Sequence, residues 1–190
     1  LECVADPRGD AVRIVTSRGV GEPIYVPAPC VGRISMAAIG TAPLEDRVWI
    51  VTGANSGIGK ATALGLARLG GTVVMACRNF ERGEAAQREI VQESGNSKVT
   101  LMIVDLASLV SIQAFAEEFT QDYRRLDGLV NNAGVFTRQR ILTPDGLELQ
   151  FAVNYLSGFL LTHLLLDSLL ASAPSRVVNV SSSAHTGASI

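Results

Sequence analysis

Residues 48–60 read Val-Trp-Ile-Val-Thr-Gly-Ala-Asn-Ser-Gly-Ile-Gly-Lys, an apolar run followed by three glycines spaced four and two residues apart. The pattern predicts a strand, a tight turn and the start of a helix. Glycine at the turn leaves the backbone open, and the N–H groups and dipole of a helix start favour a phosphate pair. The stretch therefore predicts a dinucleotide pyrophosphate site, although a plain strand-to-helix connection also uses glycine for backbone reasons alone.

A second apolar run, residues 72–77, ends at Arg78 and Asn79. This is about twenty residues after the glycine turn, where an NAD site carries an acid for the ribose. The chain has no Asp or Glu between Asp46 and Glu81. The cation of Arg78 suits the 2′-phosphate of NADP instead, so the sequence favours NADP(H). A solvated arginine at a strand end is the alternative interpretation.

Two more apolar runs end in polar or small residues. Residues 99–104 lead into Asp105 and Leu106, and residues 126–130 lead into Asn131-Asn132-Ala133-Gly134. In a parallel sheet these ends lie at the carboxyl edge, where such folds bind ligands. Capping of the helix that begins near Ser108 would explain Asp105 about as well.

Helical segments separate these runs, and the alternation predicts a doubly wound α/β fold with a parallel sheet of strand order 3-2-1-4-5. The fifth strand, residues 176–180, is expected at an exposed, incomplete edge. Apolar spacing predicts a buried face on the first helix, made of Ile58, Ala61, Leu64 and Ala67. A fourth helix is expected from about Phe151 to Ala171, with a second apolar face of Leu161, Leu169 and Leu170 that could meet another subunit.

Taken in order, the motifs resemble the short-chain dehydrogenase/reductase family. They are the glycine turn after Thr52, Asp105, the run Asn131–Gly134, Asn154 in Val-Asn-Tyr-Leu, and Val-Asn-Val-Ser-Ser at 178–182. The resemblance extends from about Asp46 to the end of the chain. Residues 76–79, 159–166 and 173–176 further resemble the retinol dehydrogenase-like branch, which implies a preference for NADP(H), a Rossmann fold and assembly into homo-oligomers.

The resemblance also implies roles for individual residues. The implied cofactor-binding residues are Gly53, Asn55, Ser56, Gly57, Ile58 and Gly59 around the pyrophosphate, Arg78 and Asn79 at the adenosine phosphate, Asp105 and Leu106 at the adenine, and Asn132, Ala133 and Gly134 at the ribose. Ser182 would orient and polarise a carbonyl, and Asn154 would hold a water that relays protons. The reaction implied is hydride transfer between nicotinamide and a small carbonyl or alcohol substrate.

The chain departs from the family at the proton donor. A tyrosine followed four residues later by a lysine supplies the proton in this family, and the lysine lowers the tyrosine pKa. Here no tyrosine follows Tyr155, and the only lysines are Lys60 and Lys98. We therefore expect a truncated chain that is inactive as it stands. The alternative is a non-catalytic dinucleotide-binding fragment or regulator.

Composition narrows the class of protein. The 190 residues are 47% hydrophobic and 18% charged, which suits one soluble domain with a large core. A net charge of −2 argues against nucleic acid as a partner, and no apolar stretch is long enough to span a membrane. Cys3, Cys30 and Cys77 lack metal-ligand spacing, so we expect no metal site and a reduced, cytoplasmic protein.

The first 43 residues differ from the rest of the chain. They are rich in Pro, Gly and Arg, and they show one short extended candidate at about residues 11–16. The composition changes at residues 43–46, which we take as the boundary between a poorly structured extension, residues 1–43, and a dinucleotide-binding domain, residues 44–190. Met36 lies twelve residues before Val48, so we expect translation to start there and residues 1–35 to be upstream sequence.

Overall fold

The computed structural model describes residues 2–5, 11–15, 24–27 and 43–182, and the chain divides into two compact units, residues 1–42 and 43–190. The first unit contains an antiparallel sheet of three strands, β1 (Glu2–Ala5), β2 (Ala11–Val15) and β3 (Ile24–Pro27), in the order β1-β2-β3. The sequence predicted one extended segment in this unit, at about residues 11–16, whereas the backbone forms three strands. The two additional strands, β1 and β3, each pair with the central strand β2. Met36 lies outside the described residues.

The second unit is built on a five-stranded parallel sheet. Its strands are β4 (Val48–Thr52), β5 (Thr72–Cys77), β6 (Val99–Ile103), β7 (Gly128–Asn131) and β8 (Arg176–Asn179), in the order β6-β5-β4-β7-β8. Numbered within this unit, the order is 3-2-1-4-5, so the predicted topology is confirmed. The strand order reverses between β4 and β7, and the carboxyl ends of these two strands form the topological switch point.

Helices connect the strands and cover both faces of the sheet. They are α1 (Gly57–Arg68), α2 (Phe80–Ser94), α3 (Leu109–Asp122), α4 (Leu149–Phe151), a π-helical turn (Ala152–Leu156), α5 (Ser157–Leu164) and α6 (Leu166–Ala171). Within the described ranges, no helix combines the length and apolar character needed to cross a bilayer.

Alternation along the strands divides the core between the two faces. Ile50 of β4 is fully buried in a cluster that includes Phe115 of α3 and Leu161 of α5. Its neighbour Val51, equally buried, points to the opposite face and packs in a cluster with Ala63 of α1. Since successive side chains of a strand point to opposite faces, a continuous apolar run requires helices on both sides.

The buried face of α1 differs from the predicted one. Gly59, Ala63 and Ala67 are buried, whereas Ile58 is 65% exposed and Ala61 is also exposed. The interpretation of Ile58 and Ala61 as core residues was therefore wrong. At Gly59 there is no room for a side chain, since a Cβ there would lie 2.4 Å from the carbonyl oxygen of Gly53 in the preceding turn.

The long helical segment after residue 148 also differs from expectation. Its π-helical turn closes with a hydrogen bond from the N–H of Ser157 to the carbonyl of Ala152, five residues earlier. The extra residue rotates everything that follows relative to a uniform α-helix. Leu161 and Leu169 consequently point into the core, at 0% and 3% exposure. Their assignment to a subunit interface was wrong, and of that predicted face only Leu170 is exposed.

Candidate functional site

The turn between β4 and α1 depends on glycine at two positions. Gly53 has a φ of 67°, in the left-handed region, and its N–H donates to the carbonyl of Ala76 at 2.9 Å. A Cβ on Gly59 would lie 2.4 Å from the carbonyl oxygen of Gly53 and 2.4 Å from Nδ2 of Asn132. The start of α1 therefore packs directly against the turn and against the loop that follows β7.

The first turn of α1 presents open backbone. Ser56 precedes the helix in an extended conformation and makes no side-chain capping bond, and no acidic residue occupies the first turn. A Cβ on Gly57 would meet no atom within 4 Å. Because the first N–H groups of a helix have no intrahelical partner, this end offers donors and a positive dipole to an anion. The arrangement fits a pyrophosphate.

A buried hydroxyl joins the ends of β4 and β7. Oγ1 of Thr52 accepts hydrogen bonds from the N–H groups of Asn132 and Ala133 at 2.9 and 3.0 Å, and it donates to the carbonyl of Val130 at 3.3 Å. In return, Nδ2 of Asn132 donates to the carbonyl of Thr52 at 2.8 Å. These bonds close the switch point and fix the path of residues 132–134. The sequence marked Thr52 only as the residue before the glycine turn.

Asn154 lies in the π-helical turn and holds the loop after β7. Its Oδ1 accepts from the N–H of Val135 at 2.7 Å, and its Nδ2 donates to the carbonyl of the same residue at 2.9 Å. π-Helical turns inside longer helices occur often at functional sites. The described contacts give the side chain a positioning function, and its role in holding a water stays a prediction.

One cavity brings together most of the predicted adenosine and ribose contacts. It lies at the carboxyl edge of the sheet, and its lining includes Gly53, Asn55, Arg78, Asp105, Leu106, Ala133 and Gly134. Asn79 is absent from the lining of this cavity; its Oδ1 accepts from the N–H of Arg82 at 2.8 Å and caps α2.

The structure separates the two explanations of Asp105. Ser108 is the N-cap of α3, since its hydroxyl accepts from the N–H of Ser111. Asp105 instead accepts from the N–H of Ala107 at 3.0 Å, and its own N–H donates to Oγ of Ser111 at 2.9 Å. Asp105 therefore stabilises the loop between β6 and α3 and lines the cavity, while the capping function belongs to Ser108.

A larger cavity, of about 570 Å³, lies between β8 and the helix that contains Asn154. Its lining includes Thr52, Ala133, Asn154 and Ser181, so it continues from the switch point towards the end of β8. Ser182 is the next residue along the chain and is exposed. The volume is within the range of small-molecule sites.

The sequence indicated Asn131 only as part of a motif, whereas the structure shows specific hydrogen bonds of its side chain. Its Nδ2 donates to Oδ1 of Asn179 at 2.9 Å and to Oγ1 of Thr162 at 3.2 Å. One amide thus joins the ends of β7 and β8 to α5. Its signal in the sequence was an asparagine at the end of each of two strands that the predicted topology makes neighbours.

Cys77 lies at the end of β5, next to the glycine turn, and is buried. Burial raises the pKa of its thiol to about 11, although hydrogen bonds from the backbone of Ala54 and Asn55 act in the opposite direction. The thiol is therefore protonated at neutral pH. Because the thiolate is the reactive form, Cys77 is a packing residue here and not a nucleophile.

The fold agrees with comparisons against known proteins. A family model described as short chain dehydrogenase matches residues 47–189. The chain therefore belongs to the short-chain dehydrogenase/reductase family, and its curated relatives place it in the retinol dehydrogenase-like branch, as the sequence motifs indicated.

Three relatives illustrate the extent of the similarity. The bovine (Bos taurus) dehydrogenase/reductase SDR family member 13 is 57% identical over 146 residues, which are 77% of this chain and 38% of that protein. Human (Homo sapiens) retinol dehydrogenase 13 is 52% identical over 149 residues, which are 78% of this chain and 45% of that protein. The crystal structure of a metagenomic short-chain oxidoreductase in complex with NADP is 33% identical, with a TM-score of 0.69, over 78% of this chain and 67% of that one. The chain spans less than half the length of these two curated relatives.

Proposed function

We propose that this chain binds NADP(H) in preference to NAD(H), as part of an oxidoreductase that transfers a hydride between the nicotinamide and a small carbonyl or alcohol substrate. The observation that carries the proposal is the cavity at the carboxyl edge of the sheet. Its lining includes Gly53 and Asn55 of the glycine turn, together with Arg78 and Asp105. The solved relative that holds NADP supports the same assignment.

Each part of the proposed site has a separate task. The N–H groups at the start of α1 hold the pyrophosphate, and the exposed guanidinium of Arg78 binds the 2′-phosphate by charge-assisted hydrogen bonds. The loop of residues 132–134, fixed by Thr52 and Asn154, contacts the ribose. The bound cofactor supplies the hydride chemistry. Ser182, at the carboxyl edge after β8, orients the substrate carbonyl.

The 190 residues contain no Tyr-x-x-x-Lys sequence. A positioned general acid contributes about two to four powers of ten to the rate. We therefore propose that these residues alone bind the cofactor and do not turn over substrate at a normal rate. The same observation favours a second candidate function, a dinucleotide-binding protein without catalysis, which shares the cofactor site and differs only in the chemistry.

The test is a titration of the 190-residue chain with NADPH and with NADH, followed by a turnover assay with a panel of aldehydes. We expect NADPH to bind at least tenfold more tightly than NADH, since a hydrogen-bonded charge contact is worth about 1.5–3 kcal/mol. Equal affinities for NADPH and NADH would contradict the proposed preference for NADP(H). Absence of binding to either cofactor would contradict the proposed cofactor site. Turnover at a normal rate would show that the proton donor lies within these residues.

A further inference from the structure

The start of α3 is joined to the proposed cofactor site by the loop that leads into this helix. Asp105 and Leu106 lie on that loop and line the cavity at the carboxyl edge of the sheet. Asp105 accepts from the N–H of Ala107 at 3.0 Å, and its own N–H donates to Oγ of Ser111, in the first turn of α3, at 2.9 Å. The position of the helix start therefore influences the position of this part of the cavity wall.

The sequence of α3 supplies only part of its own N-terminal cap. The hydroxyl of Ser108, the N-cap, accepts from the N–H of Ser111 at 3.4 Å, which is longer than the usual range of about 2.7–3.2 Å for such a bond. The first turn reads Leu-Val-Ser-Ile and so contains no acidic residue. In α2, by comparison, the N-cap bond of Asn79 measures 2.8 Å and Glu81 lies in the first turn. The free N–H groups and the positive dipole at the start of α3 need a further acceptor.

A carboxylate from a distant part of the chain provides that acceptor. Oδ2 of Asp145, 36 residues further along the chain, accepts from the N–H of Leu109, the first residue of α3, at 2.9 Å. Asp145 lies on a turn that hydrogen bonds hold in place. The N–H of Thr143 donates to the carbonyl of Leu147 at 2.8 Å, and Thr143 itself is buried. A defined turn thus presents the carboxylate to the helix start.

We propose that Asp145 is a positioning residue for the adenosine half of the cofactor, because its carboxylate fixes the start of α3 and, through it, Asp105 and Leu106. The inference rests on the proposed function, since it names a residue outside the cavity on which that cofactor site depends. Asp145 itself is not among the described residues that line the cavity. The segment between β7 and α4 that carries Asp145 also contributes residues 133–135 to the lining. The bond to Leu109 therefore joins two of the segments that form the cavity.

Two effects of Asp145 on cofactor affinity have opposite signs, which makes the inference testable. The cofactor is an anion, so removal of a negative charge from the protein should by electrostatics alone strengthen binding. Loss of the cap should weaken binding, because part of the binding energy is then used to order the start of α3. Asparagine caps a helix about as well as aspartate, whereas alanine does not. Asp145→Asn should therefore retain the position of the helix start, and Asp145→Ala should lose it.

The test is a titration of the 190-residue chain and its variants with NADPH and with adenosine 2′,5′-bisphosphate, which contains only the adenosine half. We expect Asp145→Ala to weaken binding of both ligands by the same factor, about two- to thirtyfold, the range for a lost N-cap. Asp145→Asn should bind both ligands within about twofold of the wild type or more tightly. Asp122→Ala is the matched control for charge, since it removes an exposed carboxylate from the last residue of the same helix. It should not weaken binding.

Hydrogen exchange measured by mass spectrometry without cofactor gives a second readout. Exchange in residues 106–112 should rise in Asp145→Ala and not in Asp145→Asn, because the cap protects the first turn of α3 from local opening. Asn96→Ala is the control for general loss of stability. Its side chain bonds to backbone at the opposite edge of the sheet, so it should change neither the exchange of residues 106–112 nor the affinity for either ligand.

Three results would overturn the proposal. They are unchanged affinity of Asp145→Ala for both ligands, equal losses in Asp145→Ala and Asp145→Asn, and a loss for NADPH that adenosine 2′,5′-bisphosphate does not share. In each of these results the wild-type chain binds NADPH, so the proposed function stands. Absence of NADPH binding by the wild-type chain would instead contradict the proposed function, and this inference with it.

Discussion

Asn154 binds both polar groups of one peptide residue, Val135: the N–H of Val135 donates to Oδ1 at 2.7 Å, and the carbonyl of Val135 accepts from Nδ2 at 2.9 Å. The pairing resembles the contact between two strands, with a side chain in place of the second backbone. It connects a helix to a loop that begins one residue beyond β7. The loop of residues 132–134 is thus held on one side by Thr52 and on the other by Asn154.

Replacing Asn154 with Ala should weaken NADPH binding about five- to 150-fold, because two side-chain hydrogen bonds worth about 0.5–1.5 kcal/mol each no longer fix the ribose loop. Isothermal titration gives the affinity. The matched control is Asn96→Ala, since Nδ2 of Asn96 also makes two bonds to backbone carbonyls, those of Ala67 and Gly71, at the opposite edge of the sheet. Asn96→Ala should lower stability and leave NADPH affinity unchanged. Similar losses of affinity in both variants would argue against a local positioning effect.

Substitution by alanine should have opposite effects on stability at two glycines of α1. Gly59→Ala should reduce NADPH binding at least tenfold and lower the melting temperature, because the new Cβ would lie 2.4 Å from the carbonyl oxygen of Gly53. Gly65→Ala should raise the free energy of unfolding by about 0.5–1 kcal/mol, since a Cβ there meets no atom within 4 Å and alanine favours the helix. Urea unfolding and NADPH titration of both variants provide the measurement. A Gly59→Ala chain with normal affinity would contradict the close approach.

The sequence predicted most of this fold because the relevant signals are local. Each strand of the parallel sheet is a short apolar run, and glycines or polar residues mark its end, so the strand bounds agree to within two residues. The order of the strands followed from the doubly wound fold that the alternation of strands and helices predicted. Arg78 and Asp105 were found for the same reason, since they follow such runs directly.

Other features depend on contacts that a single sequence does not display. Thr52 bonds to residues 80 and 81 positions away, and nothing in its neighbours indicates that. The π-helical turn at residues 152–156 shifts the phase of the following helix, so a uniform helical period assigned Leu161 and Leu169 to the wrong face. On α1, an apolar residue at helical spacing proved exposed because the helix meets the sheet through glycine and alanine.

Asp127 supports a pH-dependent prediction. Its buried carboxylate, one residue before β7, accepts from the N–H of Val48 at 2.9 Å and from Arg125 at 2.8 and 2.6 Å. Burial would raise the pKa of Asp127, but these hydrogen bonds, with the charges of Arg125 and Arg47, lower it below its ordinary value. A lowered pKa stabilises the fold above the unfolded pKa, and this contribution is lost as the pH falls through the folded one.

Asp127→Asn should therefore lower the free energy of unfolding at pH 7 by about 1.5–3 kcal/mol, the range for a hydrogen bond to a charged group. The two arginines are 40% and 46% exposed, so solvent screening keeps the ion-pair part small. The difference from wild type should shrink below about pH 4. Urea unfolding followed by the fluorescence of Trp49, the single tryptophan of the chain, measures it. A difference that stays constant from pH 7 to pH 3 would contradict the linkage.

Cofactor choice is tested most directly at Arg78. Arg78→Ala should weaken NADPH binding by about 1.5–3 kcal/mol, which is roughly ten- to 150-fold, and leave NADH nearly unchanged, because only NADPH carries the 2′-phosphate. Arg124→Ala is the matched control, since it removes another exposed arginine at the amino-terminal side of β7, away from the cavity. Fluorescence titration with each cofactor gives the ratio of affinities. An equal loss for both cofactors would mean that Arg78 acts on a part of the dinucleotide that they share, and the preference for NADP(H) would then need another cause.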